Sequence, residues 1–217
     1  MESMECSFCD EVNRVGANDG LSFASSEEHI ALPTLGCFVV GYSLVVSRAH
    51  INSMAHLDQD AILRLSEFVE RVRAAVVAAC GPIVVAEHGS GEPTDPTAAC
   101  CEHAHMHFIP VEDASLEVLK TYESRGGQGK RLTGFEELRT YAGRSYLSLS
   151  LSPGEWLVWD NAARFQRQFI RRATAGALGQ PKMFDWRSYP FGENMRRTAL
   201  LLRYAMDYEQ ESEMPSR

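Results

Sequence analysis

An alternating segment near the middle of the chain, from His103 to Ile109, constrains the fold more than any other feature. Histidines occupy positions 103, 105 and 107, and apolar residues lie between them. Successive side chains of a β-strand point to opposite faces, so a strand here presents three imidazoles on one face and Ala104, Met106 and Phe108 on the other. Because a buried polar group without a partner is costly, a row of imidazoles is not a core pattern. We therefore expect a sheet with a core behind this strand and a functional site in front of it.

The composition is that of an ordinary globular protein. The chain has 217 residues, of which 45% are hydrophobic and 23% charged. This is enough for one substantial core with room for an appended subdomain. The formal net charge of -8 argues against nucleic acid or an anionic membrane as a partner. We expect a cytoplasmic location, because the sequence lacks an 18-residue apolar run and its first residues lack the basic and apolar regions of a signal peptide.

Periodicity predicts the other elements of an α+β fold. Alternating or β-branched residues predict strands at 30–32, 42–47 and 83–86, and apolar residues spaced by three and four predict a long helix at 58–79. The later predictions are a short helix at 114–122, a hairpin of 146–150 with 156–159, and helices at 162–178 and 193–208. We divide the chain into a sheet-and-helix domain at 1–112, a C-terminal extension with a hairpin and helices at 113–208, and a disordered tail at 209–217.

The N-terminus carries a second signal, the pair Cys6 and Cys9. In a reducing compartment a C-x-x-C pair indicates a metal or redox site rather than a disulfide. Both thiolates can bind one tetrahedral ion from a single turn, and a closed site needs two further nitrogen or sulfur ligands. The alternative is two reduced cysteines with no ligand role.

Three motifs in this order resemble the histidine-triad (HIT) superfamily of nucleotide hydrolases and transferases. The segment His103-Ala104-His105-Met106-His107-Phe108 resembles the alternating triad itself. The segment Gly41-Tyr42-Ser43-Leu44-Val45-Val46-Ser47-Arg48-Ala49-His50 resembles the strand that precedes the long helix, and Cys6-Ser7-Phe8-Cys9 resembles an N-terminal zinc half-site. The resemblance covers roughly residues 5–112, about half of the chain. It implies an antiparallel sheet with a long packing helix.

The resemblance also implies roles for individual residues. His50 and His103 would join Cys6 and Cys9 around a structural zinc ion. His105 would be the nucleophile that attacks the α-phosphorus of a nucleotide conjugate. His107 would donate a hydrogen bond to the phosphate, the alternative being that it only orients the strand through a backbone contact.

Several functions remain open at this stage. The first is a nucleotide hydrolase, and a nucleotidyltransferase would use the same covalent intermediate with another acceptor. A second class is a hydrolase in which all three histidines bind a catalytic metal, although no H-x-H-x-D-H arrangement is present. A third is an inactive nucleotide-binding module. By the same resemblance we expect a small-molecule nucleotide as partner and a homodimer through the long helix and sheet.

Candidate substrate-binding residues come from strand ends, from departures from the family pattern and from the extension. Glu87 or His88, after the apolar strand 83–86, would contact ribose or phosphate. Thr34 and Cys100 stand where the family often has an acidic residue and a serine, and Tyr42 stands where histidine is common. Gln168 and Arg171 in the extension would reach phosphate oxygens, although a solvated helix face is the alternative for any single arginine.

Overall fold

One antiparallel sheet of eight strands organises the protein in the computed structural model, which describes residues 6–13, 21–91, 103–160 and 164–212, with side chains to 208. The strands are β1 (Ala24–Ser25), β2 (His29–Pro33), β3 (Ser43–Ser47), β4 (Ile83–Gly89), β5 (His105–Pro110), β6 (Lys130–Arg131), β7 (Tyr146–Ser152) and β8 (Glu155–Trp159). Their order across the sheet is β1-β2-β3-β5-β4-β7-β8-β6. The histidine strand β5 therefore lies in the interior of the sheet, between β3 and β4.

Helices cover the sheet on both faces. They are α1 (Ser7–Asn13), α2 (Gln59–Cys80), α3 (Ser115–Gly126), α4 (Phe169–Ala177) and α5 (Gly192–Ser212), with 3₁₀ turns at Met54–His56 and Phe135–Tyr141. We call the side packed against α2 and α5 the helix face, and the side carrying His103, His105 and His107 the triad face. One apolar cluster fills the helix face, and a second, which includes residues of α3 and α4, fills the triad face. The α+β fold predicted from the sequence is confirmed, but the sheet has a core on both faces rather than on one.

The long helix α2 shows why the local prediction succeeded. Asp58 caps its N-terminus, with the side chain accepting a hydrogen bond from the backbone N–H of Ala61 at 2.8 Å. Buried residues then recur at three and four positions along the helix, and Gly81 ends it with a φ of +82°. The predicted range of 58–79 differs from the observed one by a single residue at each end.

The two C-terminal helices differ more from their predictions. The helix predicted from 162 begins only at Phe169, because Gln168 has a left-handed φ of +60° that an α-helix does not accommodate. The backbone of α5 stays helical to Ser212, past residue 209 where the tail was expected to become disordered. Glutamate and glutamine favour helix in this stretch. Residues 213–217 of the predicted tail lie outside the described part of the chain.

The extension is built onto the edge of the N-terminal sheet. β7 pairs with β4 from Val85↔Ser150 to Gly89↔Tyr146, so the hairpin continues the same sheet past residue 112. Helix α5 contacts α2 on the helix face. The extension thus contacts, within one chain, the sheet and the long helix through which we expected a homodimer. Among the described residues, no helix combines the length and apolar character needed to span a bilayer.

Candidate active site and metal centre

The alternation of β5 places the histidines as the sequence predicts. Met106 and Phe108 are fully buried in the core of the helix face, together with Ala104 just before the strand. The three imidazoles lie on the triad face, where their exposed fractions are 1%, 6% and 7%. Each ring makes a different hydrogen bond, and these bonds determine what each ring can do.

His103 turns one ring nitrogen to the sheet and the other to the N-terminal cysteines. Its Nε2 lies 2.7 Å from the carbonyl oxygen of Ser47, and a carbonyl only accepts, so Nε2 carries the proton. The lone pair is then on Nδ1. Nδ1 lies 3.4 Å from the sulfur of Cys6 and 3.6 Å from that of Cys9. His103 is therefore held in the tautomer that a metal ligand requires.

Cys6, Cys9, His50 and His103 form one compact group. Their ligand atoms all lie within 4.8 Å of one another, and Cys9 Sγ is 3.2 Å from His50 Nδ1. Tetrahedral zinc with ordinary bond lengths places neighbouring sulfur and nitrogen ligands about 3.5 Å apart. The four residues therefore fit a metal ion of this kind. Burial and the neighbouring Cys6 raise the pKa of Cys9, and a bound cation would offset that cost.

Helix α1 also contacts the triad directly. Its Phe8, between the two cysteines, lies with its ring centroid 4.9 Å from that of His105 and 5.7 Å from that of His103. A metal bound by the four residues would hold this ring against His105. The group contains His103 but neither His105 nor His107, which argues against one catalytic metal shared by all three histidines.

His105 has the opposite tautomer. Its Nδ1 lies 2.8 Å from the carbonyl oxygen of His103, so Nδ1 carries the proton and Nε2 the lone pair. Burial lowers the pKa of His105 to about 4, with the hydrogen bond to His103 acting in the other direction. The ring is therefore neutral at pH 7. A neutral imidazole with its Nε2 lone pair free of a proton is a nucleophile.

His107 lies beside His105, with ring centroids 4.9 Å apart. Its Nδ1 is 2.7 Å from the hydroxyl oxygen of Tyr42. Burial is the largest effect that lowers the pKa of His107 well below its ordinary value. Repulsion from His105 in its protonated form, from Arg171 and from His88 adds to it. His107 is thus a neutral ring as well.

The structure does not bring Glu87 to the triad. Glu87 alternates with His88 on β4 and lies on the helix face, where its carboxylate accepts from the Met54 backbone N–H at 2.8 Å and from the Tyr146 hydroxyl. Burial raises the pKa of Glu87 to about 7, against the effect of these two bonds. The expectation that Glu87 contacts substrate is therefore not supported by its position. Its hydrogen-bond partners, Met54 and Tyr146, belong to the core of the helix face.

His88 and Thr34 are on the correct side. Ala86 pairs with His107 across the sheet, and His88, two residues further along β4, is the triad-face residue whose charge affects His107. Thr34 follows β2 and donates its backbone N–H to the carbonyl of Tyr42 at 3.4 Å. Its hydroxyl donates to the Leu35 carbonyl, so what it retains toward a ligand is acceptor capacity. Cys100 lies outside the described residues.

Of the two candidates from the extension, Arg171 is near the triad. Its guanidinium lies over the ring of Tyr42, 5.1 Å from the centroid. The residue as a whole is 4% exposed. Three of its nitrogens donate to backbone carbonyls, at 2.7 Å to Phe184, 3.2 Å to Leu35 and 2.6 Å to Gly36. Gln168, at the start of α4, has a buried side-chain oxygen with no hydrogen-bond partner among the described residues, and no described contact joins it to the triad.

Two residues at the site were not candidates in the sequence analysis. Phe8 stood inside the cysteine pair, and its aromatic character among polar neighbours was the available signal. Tyr42 was noted only as a departure from the family pattern. Its contact with His107 depends on the pairing of β3 with β5, where Leu44 lies opposite His107.

Three of the solved structures that resemble part of this chain are described as Hit-like or histidine triad proteins. A Hit-like protein from Bartonella henselae is 16% identical, with 50% of this chain and 81% of that chain covered at a TM-score of 0.42. A hypothetical histidine triad nucleotide-binding protein from Sulfolobus tokodaii is 21% identical, with 50% and 70% covered at 0.41. A Zn-bound histidine triad family protein from Mycobacterium smegmatis is 17% identical, with 49% and 75% covered at 0.40.

These matches cover half of the chain, and at such identities and TM-scores the likeness by itself carries no argument about chemistry. No protein-family model matches the chain, and no curated protein matches it either. The assignment therefore rests on the molecule's own residues. The alternating histidines on an interior strand and the Cys/His group that takes up the first of them support the HIT-like assignment made from the sequence.

Proposed function

We propose that the protein is a nucleotide hydrolase that acts at the α-phosphate of a nucleotide conjugate through His105. The observation that carries this proposal is the hydrogen bond from His105 Nδ1 to the His103 carbonyl, because it leaves the lone pair on Nε2. Most buried histidines are structural, with both ring nitrogens engaged. Here burial keeps the ring neutral and the backbone fixes which nitrogen is nucleophilic.

The reaction has two displacement steps at phosphorus. In the first, His105 Nε2 forms a P–N bond while the bond from phosphorus to the leaving group breaks, and the leaving group departs with the electron pair. The imidazole then carries a positive charge, which the carbonyl bonded to Nδ1–H stabilises. In the second, a water oxygen attacks phosphorus, the P–N bond breaks, and the water proton passes to solvent. His105 returns to its neutral form.

His107 is proposed as the donor that stabilises the phosphoryl oxygens. It lies next to His105 on the same face and is neutral, so one N–H is available without a charged ring. His88 and Thr34 are proposed at the edge of the same site, beside His105 and His107. Cys100, Gln168 and Arg171 stay as proposed contacts from the sequence, with Arg171 the nearest of the described ones to the triad.

Zinc is the ion that we propose for the cysteine and histidine group. Two thiolates and two imidazoles suit zinc, and four protein ligands complete a tetrahedral shell, so the role would be structural. When bound, the ion would supply a cross-link between α1 and the strand of the triad. The catalytic residues themselves are His105 and His107. A cytoplasmic location and a small-molecule nucleotide partner belong to the same proposal.

Mass spectrometry of the trapped intermediate tests the function. Wild-type protein would be mixed with dinucleoside polyphosphates, nucleoside phosphoramidates and nucleoside monophosphate esters, then quenched in denaturant at high pH, where P–N bonds survive. We expect a nucleoside monophosphate adduct on the peptide that contains His105, and its absence in His105→Asn. Turnover of any of these substrates by the variant at the wild-type rate would contradict the assignment. Product analysis with added phosphate or sugar phosphate separates hydrolysis from transfer.

A further inference from the structure

Tyr42, the residue just before β3, directs a buried hydroxyl at the triad. It is fully buried, and its oxygen lies 2.7 Å from Nδ1 of His107. Hydrogen bonds donated by hydroxyls cluster near this length, whereas those donated by N–H groups are nearer 2.9 to 3.0 Å. The distance therefore favours the tyrosine as donor and His107 Nδ1 as acceptor.

The surroundings of Tyr42 strengthen it as a donor. The guanidinium of Arg171 lies 5.1 Å from the centroid of its ring. A nearby positive charge stabilises negative charge on a phenol oxygen and so makes its O–H a stronger donor. The same charge opposes protonation of His107, which keeps that ring neutral. Both effects favour a hydrogen bond in which Tyr42 donates and His107 accepts.

Arg171 is fixed in place by the backbone. Arg171 is part of α4, and its three donated bonds tie the guanidinium to Phe184, beyond that helix, and to the loop after β2. Gly36 permits this close approach, because its φ is +66° and because it has no Cβ. A Cβ there would collide with Arg171 Nη2, at 2.6 Å, and with the Cβ of Trp186. The extension therefore holds a cation in a defined position behind Tyr42.

From this geometry we infer that Tyr42 is a positioning residue that holds His107 with its proton on Nε2. The two neighbouring rings then present different atoms on the triad face: His105 a lone pair on Nε2, His107 an N–H on Nε2. One suits attack on phosphorus, and the other suits donation to a phosphoryl oxygen. The inference rests on the proposed function for its catalytic meaning. The tautomer itself can be measured without any substrate.

Nuclear magnetic resonance of histidines labelled with ¹⁵N is the direct test. The signal of His107 would be assigned by its loss in His107→Gln. In wild type we expect Nε2 protonated and Nδ1 unprotonated, and in Tyr42→Phe a mixture of both tautomers. Tyr122→Phe is the matched control, because Tyr122 is buried in the same apolar cluster and its hydroxyl has no hydrogen-bond partner among the described residues. It should leave the His107 spectrum unchanged.

Kinetics supply a second measurement on whichever substrate the mass-spectrometric test identifies. For Tyr42→Phe we expect kcat to fall about tenfold or more with KM changed by less than about threefold, since the lost orientation matters most in the transition state. The control variant should retain wild-type values. A wild-type His107 protonated on Nδ1, or a Tyr42→Phe spectrum identical to wild type, would overturn the inference.

These outcomes also separate the inference from the proposed function. An Nε2-protonated His107 in a protein that turns over no nucleotide conjugate would leave the role of Tyr42 in place and remove the hydrolase. Turnover through His105 with an unchanged kcat in Tyr42→Phe would leave the hydrolase in place and remove the role of Tyr42. If Tyr42→Phe fails to fold, a wild-type His107 protonated on Nδ1 still overturns the inference, and one protonated on Nε2 supports it.

Discussion

The two faces of the sheet carry two kinds of buried ionisable group only one strand apart. On the helix face, both oxygens of Glu87 accept hydrogen bonds, from Met54 and Tyr146. On the triad face, His105 uses one ring nitrogen for a backbone carbonyl and keeps the lone pair of the other. Glu87 is the more deeply buried of the two. The comparison teaches that burial alone does not mark a functional group: Glu87 uses both oxygens for donors in the core, whereas His105 keeps a lone pair on the face that carries the other histidines.

The largest effect expected from this comparison is the loss of His105. His105→Asn should reduce turnover by about a thousandfold or more, because it removes the nucleophile, while thermal unfolding stays close to wild type. Glu87→Gln is the matched variant on the other face, and it should keep activity within about threefold. Steady-state rates and melting curves of both variants are the measurements. Equal losses in the two variants would mean that the faces do not differ in function.

Removal of the metal should have the next largest effect. We expect one zinc ion per chain by elemental analysis, and its loss in Cys9→Ser or after chelation. A structural ion adds its binding free energy to folding, so the loss should cost about 3 kcal/mol or more, which lowers Tm by about 6 to 12 °C in a chain of this size.

The control for the metal is Cys80→Ser, which changes a half-buried thiol far along the chain from the Cys/His group. It should keep the full zinc content. Freshly purified wild-type protein without zinc would contradict the assignment of all four ligands together. Because Phe8 lies against His105, metal loss should also lower activity before the protein unfolds.

The dependence of stability on pH should show the charge state of Glu87. Its pKa is about 7 in the folded protein, against an ordinary value of 4.5. The folded state therefore binds the proton more tightly, and the stabilisation is full below about pH 4.5 and lost as the pH rises through 7. Relative to Glu87→Gln, wild type should lose up to about 3 kcal/mol of unfolding free energy between these limits.

Urea unfolding of both proteins from pH 4.5 to 8 measures this difference. The variant matters because His29 and His105, each with a pKa lowered to about 4 by burial, contribute the opposite slope in both proteins. Their stabilisation is present above about pH 6.5 and is lost toward pH 4, so it cancels in the subtraction. A difference that rises with pH would contradict the buried position of Glu87.

The smallest effects concern two buried tyrosine hydroxyls. Tyr146→Phe removes a donor from Glu87 and should cost about 1 to 3 kcal/mol. Tyr122→Phe removes a hydroxyl without a partner among the described residues, so it should change stability by less than about 0.5 kcal/mol or increase it. Chemical unfolding of the two variants compares them directly. A cost for Tyr122 equal to that for Tyr146 would indicate a hydrogen bond that the structure does not show.

Features set by neighbouring residues could be predicted from the sequence. The histidine strand follows from strict alternation, and α2 follows from its apolar spacing, its cap at Asp58 and its stop at Gly81. The cysteine pair was predicted from its spacing, and the family resemblance supplied His50 and His103. The structure brings the four residues together. By contrast, the choice between Glu87 and His88 depended on which face each residue of β4 would occupy. Both follow the same apolar strand, so the choice required the register of β4 against β5.

Contacts between distant segments could not be predicted. The bond from Tyr42 to His107 joins the residue before β3 to a residue of β5, and the anchoring of Arg171 joins α4 to the loop after β2. No local pattern in these segments indicates which distant residue each one contacts. The late start of α4 has the same origin, because Phe165 packs against Tyr122 and Phe169 in an aromatic cluster instead of continuing a helix.

The pairing of β7 with β4 has a practical consequence for anyone who wishes to isolate the N-terminal half of the chain. A fragment that stops near residue 112 would expose the outer edge of β4 along residues 85–89 and leave unpaired the backbone N–H and C=O groups that β7 pairs in the whole chain. Such an edge recruits strands from other molecules and promotes aggregation. The extension thus protects the edge of the strand beside the histidines from pairing with other molecules. The protein is best expressed and engineered as one piece.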